Sequence, residues 1–281
     1  MDVGATAGLL GDTPERDYSR KLQLFNAFAE PELREAIAGL SLVPGMRILD
    51  AGCGTGEALQ WLGEATRGQG ELIGIDLSLA HVSAARARQV PNTKLFHGDW
   101  LAAPVAPQSV DLLWCVNTIN HLREPLRGAR LMRSLLRPSG RIALGQNSLV
   151  PDMFFAWDAR LERLTNEAVR EYYRHRYRLH ERDLTAVRNL VGLLHQSGFR
   201  DIRARTLPIE RIQPLRQADR DYLLEAIFRA TWGERLRPYL SAEDFAELTR
   251  LTDPDQPQFA LRRADFHFLQ TFTLVTGEAG T

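Results

Sequence analysis

Ile48-Leu49-Asp50-Ala51-Gly52-Cys53-Gly54-Thr55-Gly56-Glu57 closes a short apolar run and opens a helix-forming one, and its reading decides the fold. Gly52, Gly54 and Gly56 carry no Cβ and tolerate positive φ, so a ligand can approach the backbone of this turn closely. The helix start behind the turn adds free N–H groups. In dinucleotide-binding folds this strand–turn–helix position holds a pyrophosphate, and the third glycine of G-x-G-x-x-G lets the helix pack tightly. Here that third position is Glu57. A carboxylate beside a pyrophosphate is unfavourable and Asp50 adds a second, so a nicotinamide cofactor is the weaker reading. Paired acids at the turn suit a cation.

Outward from this turn, strand and helix alternate from Arg47 to Gln146. The runs 47–51, 71–76, 94–99, 110–116 and 141–146 are short, apolar or β-branched, and bounded by Gly, Pro or Asp, as strands buried on both faces are. Residues 57–66, 79–89 and 124–140 have helical spacing, with Pro125 near a helix start and Gly140 after its end. Such βαβα order predicts an α/β fold with a mostly parallel sheet and helices on both faces. Residues 201–210 and 265–278 add two strands, the second by its alternation at Phe266, Phe268 and Phe272. The expected sheet therefore has seven strands.

The remainder is less regular. Residues 16–42 read as helices leading into the sheet, with Pro31 starting the second. Residues 151–180 carry Phe154, Phe155, Trp157, Tyr172, Tyr173 and Tyr177 among charges, too aromatic for a linker and too polar for a core helix. Residues 183–197 form a helix ended by Gly198, and a helical block over 211–262 splits the last two strands.

A length of 281 residues, against about 150 per domain, predicts one large domain with insertions. Hydrophobic residues are 44% and charged residues 25%, a globular balance, and no run of about 18 apolar residues offers a membrane span. The 35 basic and 35 acidic residues cancel, so no global field steers the protein toward nucleic acid or an anionic membrane, and a small-molecule partner is expected. A local excess at Arg123, Arg127, Arg130, Arg133, Arg137 and Arg141 reads as a solvated helix face rather than a phosphate stripe. Cys53 and Cys115 cannot form a disulfide framework or a four-thiolate metal site, which suits a reducing compartment. The N-terminus lacks the charged start and apolar stretch of a secretory signal, so a cytoplasmic address is expected.

Asp76 ends the second strand twenty residues beyond Gly56, at the spacing where an acid accepts hydrogen bonds from ribose hydroxyls. Asp99 follows the third strand beside Trp100, where a purine amino group would lie; alone, such an acid is as often a turn residue. The glycine turn, Asp76 and Asp99 all fall at C-terminal ends of parallel strands, where open α/β sheets bind ligands.

With these residues in place, the sequence resembles the class I S-adenosylmethionine-dependent methyltransferases. The resemblance rests on Asp50 to Gly56, Asp76, Gly98-Asp99, Val110 to Trp114, Asn120 to Pro125 and Leu136 to Gly140, and spans about residues 43–146. It is most similar to small-molecule enzymes of the quinone-biosynthesis and natural-product type. The resemblance implies a Rossmann-like core over 43–210 and 263–281, with a cap insertion at 151–180. It also implies an N-terminal helical segment (1–42) covering the cofactor site and a helical substrate cap at 211–262. It implies S-adenosyl-L-methionine as methyl donor, with Asp50, Gly52, Cys53, Gly54 and Gly56 against the methionine moiety. Asp76 and Leu77 then hold the ribose, Asp99 and Trp100 frame the adenine, and Val116 and Asn117 line the floor near the sulfonium. Tyr18 or Lys21 closes over the methionine carboxylate.

Methyl transfer to N, O or C by in-line displacement needs orientation and water exclusion more than acid–base chemistry, so a general base is optional. His121, in the loop after the fourth strand, is the first candidate for one. The acceptor pocket is expected from Phe154, Trp157, Tyr172, Tyr173 and Tyr177, whose rings and polar tips are the make-up of a small-molecule site. No metal is expected, because no carboxylate cluster follows the fourth strand. A monomer or homodimer is expected. The competing reading is a non-catalytic S-adenosylmethionine-binding regulator or partner protein, which would keep the same glycine turn.

Overall fold

The computed structural model describes residues 10, 14–102, 104–148, 152–155, 157–180 and 188–280. Its sheet starts with five parallel strands in the order β3 (Thr93–His97), β2 (Glu71–Asp76), β1 (Arg47–Ala51), β4 (Val110–Val116) and β5 (Leu136–Asn147). The long β8 (His267–Glu278) runs antiparallel to β5, and β7 (Arg200–Ile212) runs antiparallel along the other edge of β8. A two-residue strand, β6 (Met153–Phe154), continues on the β5 side of β8 where β5 stops. Seven strands therefore lie abreast, as the sequence pattern predicts, and the eighth is a short extension.

The period of two along the central strands divides the core. Ile48, Leu112, Trp114 and Ala143 face one layer, which holds α1 (Ser19–Ala38), α2 (Glu57–Ala65) and the cap. Leu49, Leu113, Cys115 and Ile142 face the other, which holds α4 (Pro125–Leu135) and α6 (Leu190–Gln196). Chain order runs outward from β1 to β3 and then returns to β4 on the far side of β1. That reversal opens a crevice between the C-terminal ends of β1 and β4, where doubly wound sheets bind ligands.

One expectation for the helices is corrected. The segment 16–42 holds one helix, Ser19–Ala38, with Pro31 inside it, not two helices broken there. An internal proline costs roughly 3 kcal/mol, but the stripe Leu24, Phe25, Phe28, Leu33 and Ile37 is buried along the whole length, and burying each such side chain contributes about 1.5–3 kcal/mol. Packing outweighs the lost hydrogen bond. The helix expected over 183–197 is described from Leu190 onward; its residues 183–187 lie outside the described residues.

The cap consists of α5 (Ala159–Tyr177) and a block of short helices: α7 (Gln217–Asp221), a π-helical stretch (Tyr222–Trp232) and α8 (Ala242–Thr252). Arg211, 9% exposed near the end of β7, ties this block to α1. It donates to Asp219 Oδ1 (2.8 Å), Glu32 Oε1 (2.7 Å), Glu32 Oε2 (2.9 Å) and the Phe28 carbonyl (2.6 Å). Removing one member of such a network strands the opposite charges out of water. Arg211→Met should therefore lower the unfolding free energy by roughly 3–5 kcal/mol. Urea titration is the check, and a loss below about 1 kcal/mol would mean the network adds nothing over apolar packing.

Candidate functional site

The crevice widens into a cavity of about 730 Å³ between the C-terminal strand ends and the N-terminal residues 14–33. Its wall includes Asp50, Gly52, Cys53 and Gly54 from the first turn, Asp76 and Leu77 from the second, and Asp99 and Trp100 from the third. Val116, Asn117 and His121 follow from the fourth, and Tyr18 closes it from the N-terminal side. Gly56 does not reach it. With φ +86° it starts α2, and a Cβ there would stand 2.9 Å from Ala85 Cβ, so this glycine serves helix packing.

The turn takes its shape from contacts that only glycine permits. Gly52 has φ +83°, and a Cβ on it would lie 2.3 Å from Thr118 Oγ1. Gly54 (φ +51°) donates its N–H to Asp76 Oδ2 at 2.9 Å. Asp76 Oδ1 also accepts from the Ser78 N–H (2.9 Å) and lies 3.1 Å from His81 Nδ1. His81 Nε2 accepts the Tyr18 N–H at 3.4 Å, which leaves the ring proton on Nδ1, facing Asp76. Ser78 Oγ donates to the Arg16 carbonyl (2.7 Å). One carboxylate thus connects the glycine turn, the start of α3 (Leu79–Ala87) and the N-terminal segment. His81 was not singled out from the sequence; its position five residues after Asp76, in the first turn of a helix, is the signal for this positioning role.

Asp50 is 2% exposed, and its Oδ2 has no hydrogen-bond partner among the described residues. Burial, then the nearby Asp76 and Glu57 carboxylates, raises its carboxyl well above the ordinary range. Burial likewise pushes the Cys53 thiol up. Glu57 corrects the sequence reading, because it does not pair with Asp50 at the turn. It turns behind the loop, accepting from Asn26 Nδ2 (2.9 Å) and Thr55 Oγ1 (2.6 Å), and forms an ion pair with Arg88. An acid at that position is compensated locally, which leaves Asp50 and Asp76 as the carboxylates beside the turn on the cavity wall.

Asp99 is exposed and its Oδ1 accepts the Leu101 N–H (2.9 Å), so it caps a turn as well as lining the cavity. Trp100 is 5% exposed and packs against Gly128. Asn117 adopts φ +54°, donates to the Gly145 carbonyl (2.8 Å) and accepts from the Asn147 N–H (3.0 Å), locking the end of β4 to β5. His121 ends a short 3₁₀ turn, Ile119–His121, at the cavity rim. Arg123 and Arg127 of the basic stripe also line the rim, whereas Arg137 is held by Asp111 (2.7 Å).

None of the five aromatics expected at the acceptor lines this cavity. Phe154 and Trp157 pack with Trp232 (5.3 and 5.6 Å between ring centroids) in the apolar layer under the cap. Being apolar and next to β8, they are drawn into the core. Tyr172, Tyr173 and Tyr177 stand together on α5; Tyr177 Oη accepts from Arg16 Nη2 (3.1 Å), and Arg16 does line the cavity. His175 and His267 face Tyr239 Oη (3.3 Å) and Glu210 Oε1 (2.7 Å) instead. Among the described residues no group of three or more His, Cys, Asp or Glu side chains is arranged to hold a metal, and no helix is long and apolar enough to cross a membrane.

Residues 48–140 match the family model described as a methyltransferase domain. The chain is 33% identical over 129 residues to 27-O-demethylrifamycin SV methyltransferase of Amycolatopsis mediterranei, covering 44% of this chain and 47% of that protein. It is 32% identical over 111 residues to 2-phytyl-1,4-naphtoquinone methyltransferase of Thermosynechococcus vestitus, covering 39% and 49%. The chain spans about half the length of the curated relatives it matches. Haemonchus contortus phosphoethanolamine N-methyltransferase 2, solved with S-adenosyl-L-methionine, shares the fold: TM-score 0.53, 15% identity, covering 93% of this chain and 57% of that one. Over residues 48–140 the chain is therefore similar to the class I S-adenosylmethionine-dependent methyltransferases, whose fold it shares.

The orphaned Asp50 carboxylate yields a stability prediction with a definite sign. A carboxyl whose folded pKa is raised stabilises fully below its unfolded pKa, and that contribution is lost as pH rises through the folded value. At pH 8 the unfolded chain ionises this carboxyl freely, whereas the buried site resists the charge. Asp50→Asn should therefore raise the ligand-free melting temperature at pH 8, by about 2–4 °C per kcal/mol relieved, and by less at pH 5. Scanning calorimetry at both values tests this. An equal or larger gain at pH 5 would contradict it.

Proposed function

We propose that this chain is a methyltransferase that carries a methyl group from S-adenosyl-L-methionine to a small-molecule acceptor, releasing S-adenosyl-L-homocysteine. The observation that carries the reading is the cavity wall. A glycine turn, an unpartnered buried carboxylate and a strand-end aspartate converge on one space, at the switch point of a parallel sheet. When bound, S-adenosyl-L-methionine supplies a methyl group already activated on a sulfonium.

The residues then divide the work. Asp50 offers its free oxygen, and Gly52, Cys53 and Gly54 offer close backbone, to the methionine portion with its cationic amine and sulfonium. Asp76 and Leu77 take the ribose, and Asp99 and Trp100 bracket the adenine. Val116 and Asn117 form the floor, held still by the bonds to Gly145 and Asn147. Tyr18, anchored through His81 to Asp76, closes the N-terminal side and excludes water. His121 at the rim is positioned to take a proton where the acceptor requires it. Tyr172, Tyr173 and Tyr177 provide the acceptor side behind Arg16, with Phe154 and Trp157 bracing them from the core. The naphtoquinone and rifamycin methyltransferases among the relatives support a secondary-metabolite or quinone-like acceptor.

Each charge-assisted bond to Asp76 is worth about 1.5–3 kcal/mol, so Asp76→Ala should weaken S-adenosyl-L-methionine binding at least tenfold by calorimetry. Gly54→Val should abolish binding while the circular dichroism of the fold is kept, because a β-branched residue at positive φ would fill the approach. Unchanged affinity in both variants would overturn the donor assignment. Methyl turnover with an acceptor panel separates an enzyme from a silent donor-binding protein.

Activity should survive EDTA, since orientation and an activated methyl group leave a metal nothing to supply. Loss on chelation with rescue by magnesium would reopen metal-assisted O-methylation.

A further inference from the structure

The donor reading uses one part of the cavity wall. Leu22, Phe25, Leu33, Ala58, Trp61 and Trp114 also line the cavity and have no task in that reading. Their elements bring them together. Leu22, Phe25 and Leu33 stand on α1, and Ala58 and Trp61 on α2. Trp114 is the β4 neighbour of Asp50, so the two side chains lie side by side on the face of the sheet that α1 covers. Phe25, Leu33, Trp61 and Trp114 belong to the apolar layer on that face, and Ala58 packs against it. Trp100, Leu101 and Leu122, which line the same cavity on the expected adenine side, belong to or pack against the opposite layer. The cavity therefore straddles the strand ends, with a polar arm toward Asp76 and Asp99 and an apolar lobe beneath α1.

The chemistry of this lobe is narrow. Three of its six side chains are aromatic rings and the other three are aliphatic. Leu22 bounds it on the side of the glycine turn, where its Cδ1 would lie 3.1 Å from a Cβ on Gly54. The Trp61 indole is held by Arg34, which lies over the ring at 5.5 Å and is itself paired with Glu30 and Glu64. The polar side chains at the border are Asp50 and Asn26, and Asn26 gives its Nδ2 to Glu57. An anion in the lobe would face the Asp50 carboxyl with no basic side chain among the six. Side chains of a protein interior interdigitate closely, so large rings that line a cavity instead offer their surface to a ligand.

We propose that this lobe binds the neutral, apolar body of the acceptor, an unsaturated ring system walled by Phe25, Trp61 and Trp114. Ring-to-ring contact adds to the apolar area such a body buries, which favours it over an aliphatic chain of equal size. The lobe and the donor contacts share one cavity, so a body bound there is kept beside the methyl donor. The α5 tyrosines, off this wall, are left with the polar, outward part of the same molecule. The inference rests on the methyltransferase reading for the identity of its ligand as acceptor.

The test is calorimetric titration of 2-naphthol, and of 2-naphthoate as the same ring system with a charge, into the full chain at pH 7.5, with and without saturating S-adenosyl-L-homocysteine. Expected is 2-naphthol binding that stays within fivefold when S-adenosyl-L-homocysteine is present, with 2-naphthoate at least tenfold weaker. Ala58→Phe, which fills the lobe with a ring, should weaken 2-naphthol at least tenfold and leave the S-adenosyl-L-homocysteine Kd within threefold. Should Ala58→Phe fail to fold by circular dichroism, Trp61→Leu takes its place with at least a fivefold loss of 2-naphthol, and Trp61→Phe restores part of it. No 2-naphthol binding, equal binding of 2-naphthoate, or 2-naphthol binding indifferent to these changes would overturn the proposal. Displacement of 2-naphthol by S-adenosyl-L-homocysteine, or a tenfold loss of S-adenosyl-L-homocysteine affinity in Ala58→Phe, would overturn it too, by assigning the lobe to the donor. A wild-type chain that binds 2-naphthol but no S-adenosyl-L-homocysteine would support the apolar lobe and overturn the donor reading instead.

Discussion

The Asp76 carboxylate is the junction on which the site's geometry depends. It accepts from the Gly54 and Ser78 N–H groups and faces His81, and so fixes the glycine turn of β1 to the end of β2. Each of these bonds is individually modest. Together they hold three separate chain segments, because His81 and Ser78 in turn hold the Tyr18 N–H and the Arg16 carbonyl. A side chain at a strand end is a good place for such a junction, since the sheet keeps its Cα still while the loops around it vary.

Charge is handled in opposite ways on the two sides of the molecule. Between α1, β7 and the cap, Arg211 is buried with two acids and a carbonyl, so that the ions are compensated and the cap is held in place. On the cavity wall, Oδ2 of the buried Asp50 has no hydrogen-bond partner among the described residues. An uncompensated group costs folding energy, and proteins retain such costs at binding sites.

The family match over residues 48–140 contains the glycine turn, Asp76, Asp99, Asn117 and His121. It ends before the α5 tyrosines and the cap, and begins after Tyr18 and α1. The shared segment therefore holds most of the proposed donor contacts. The parts particular to this chain surround the proposed acceptor side, attached to the sheet through β6, β7 and the Arg211 network. Selectivity carried by added segments leaves the sheet free to keep one geometry.

Local sequence determined the five parallel strands, their connecting helices and the cavity residues at strand ends, because strand burial on both faces and glycine at positive φ are imposed within a few residues. It failed where distant packing outweighs local preference. Pro31 stays inside a helix because an apolar stripe is buried along it, and Glu57 is drawn behind the turn by Arg88, thirty-one residues away. Phe154 and Trp157 sink into the core because β8 brings Phe268 and the π-helical stretch brings Trp232 against them. Which acid a cation finds depends on contacts between distant segments, as between Arg211 and Glu32, 179 residues apart. No local pattern encodes that, since Coulomb pairing depends on separation in space and not along the chain.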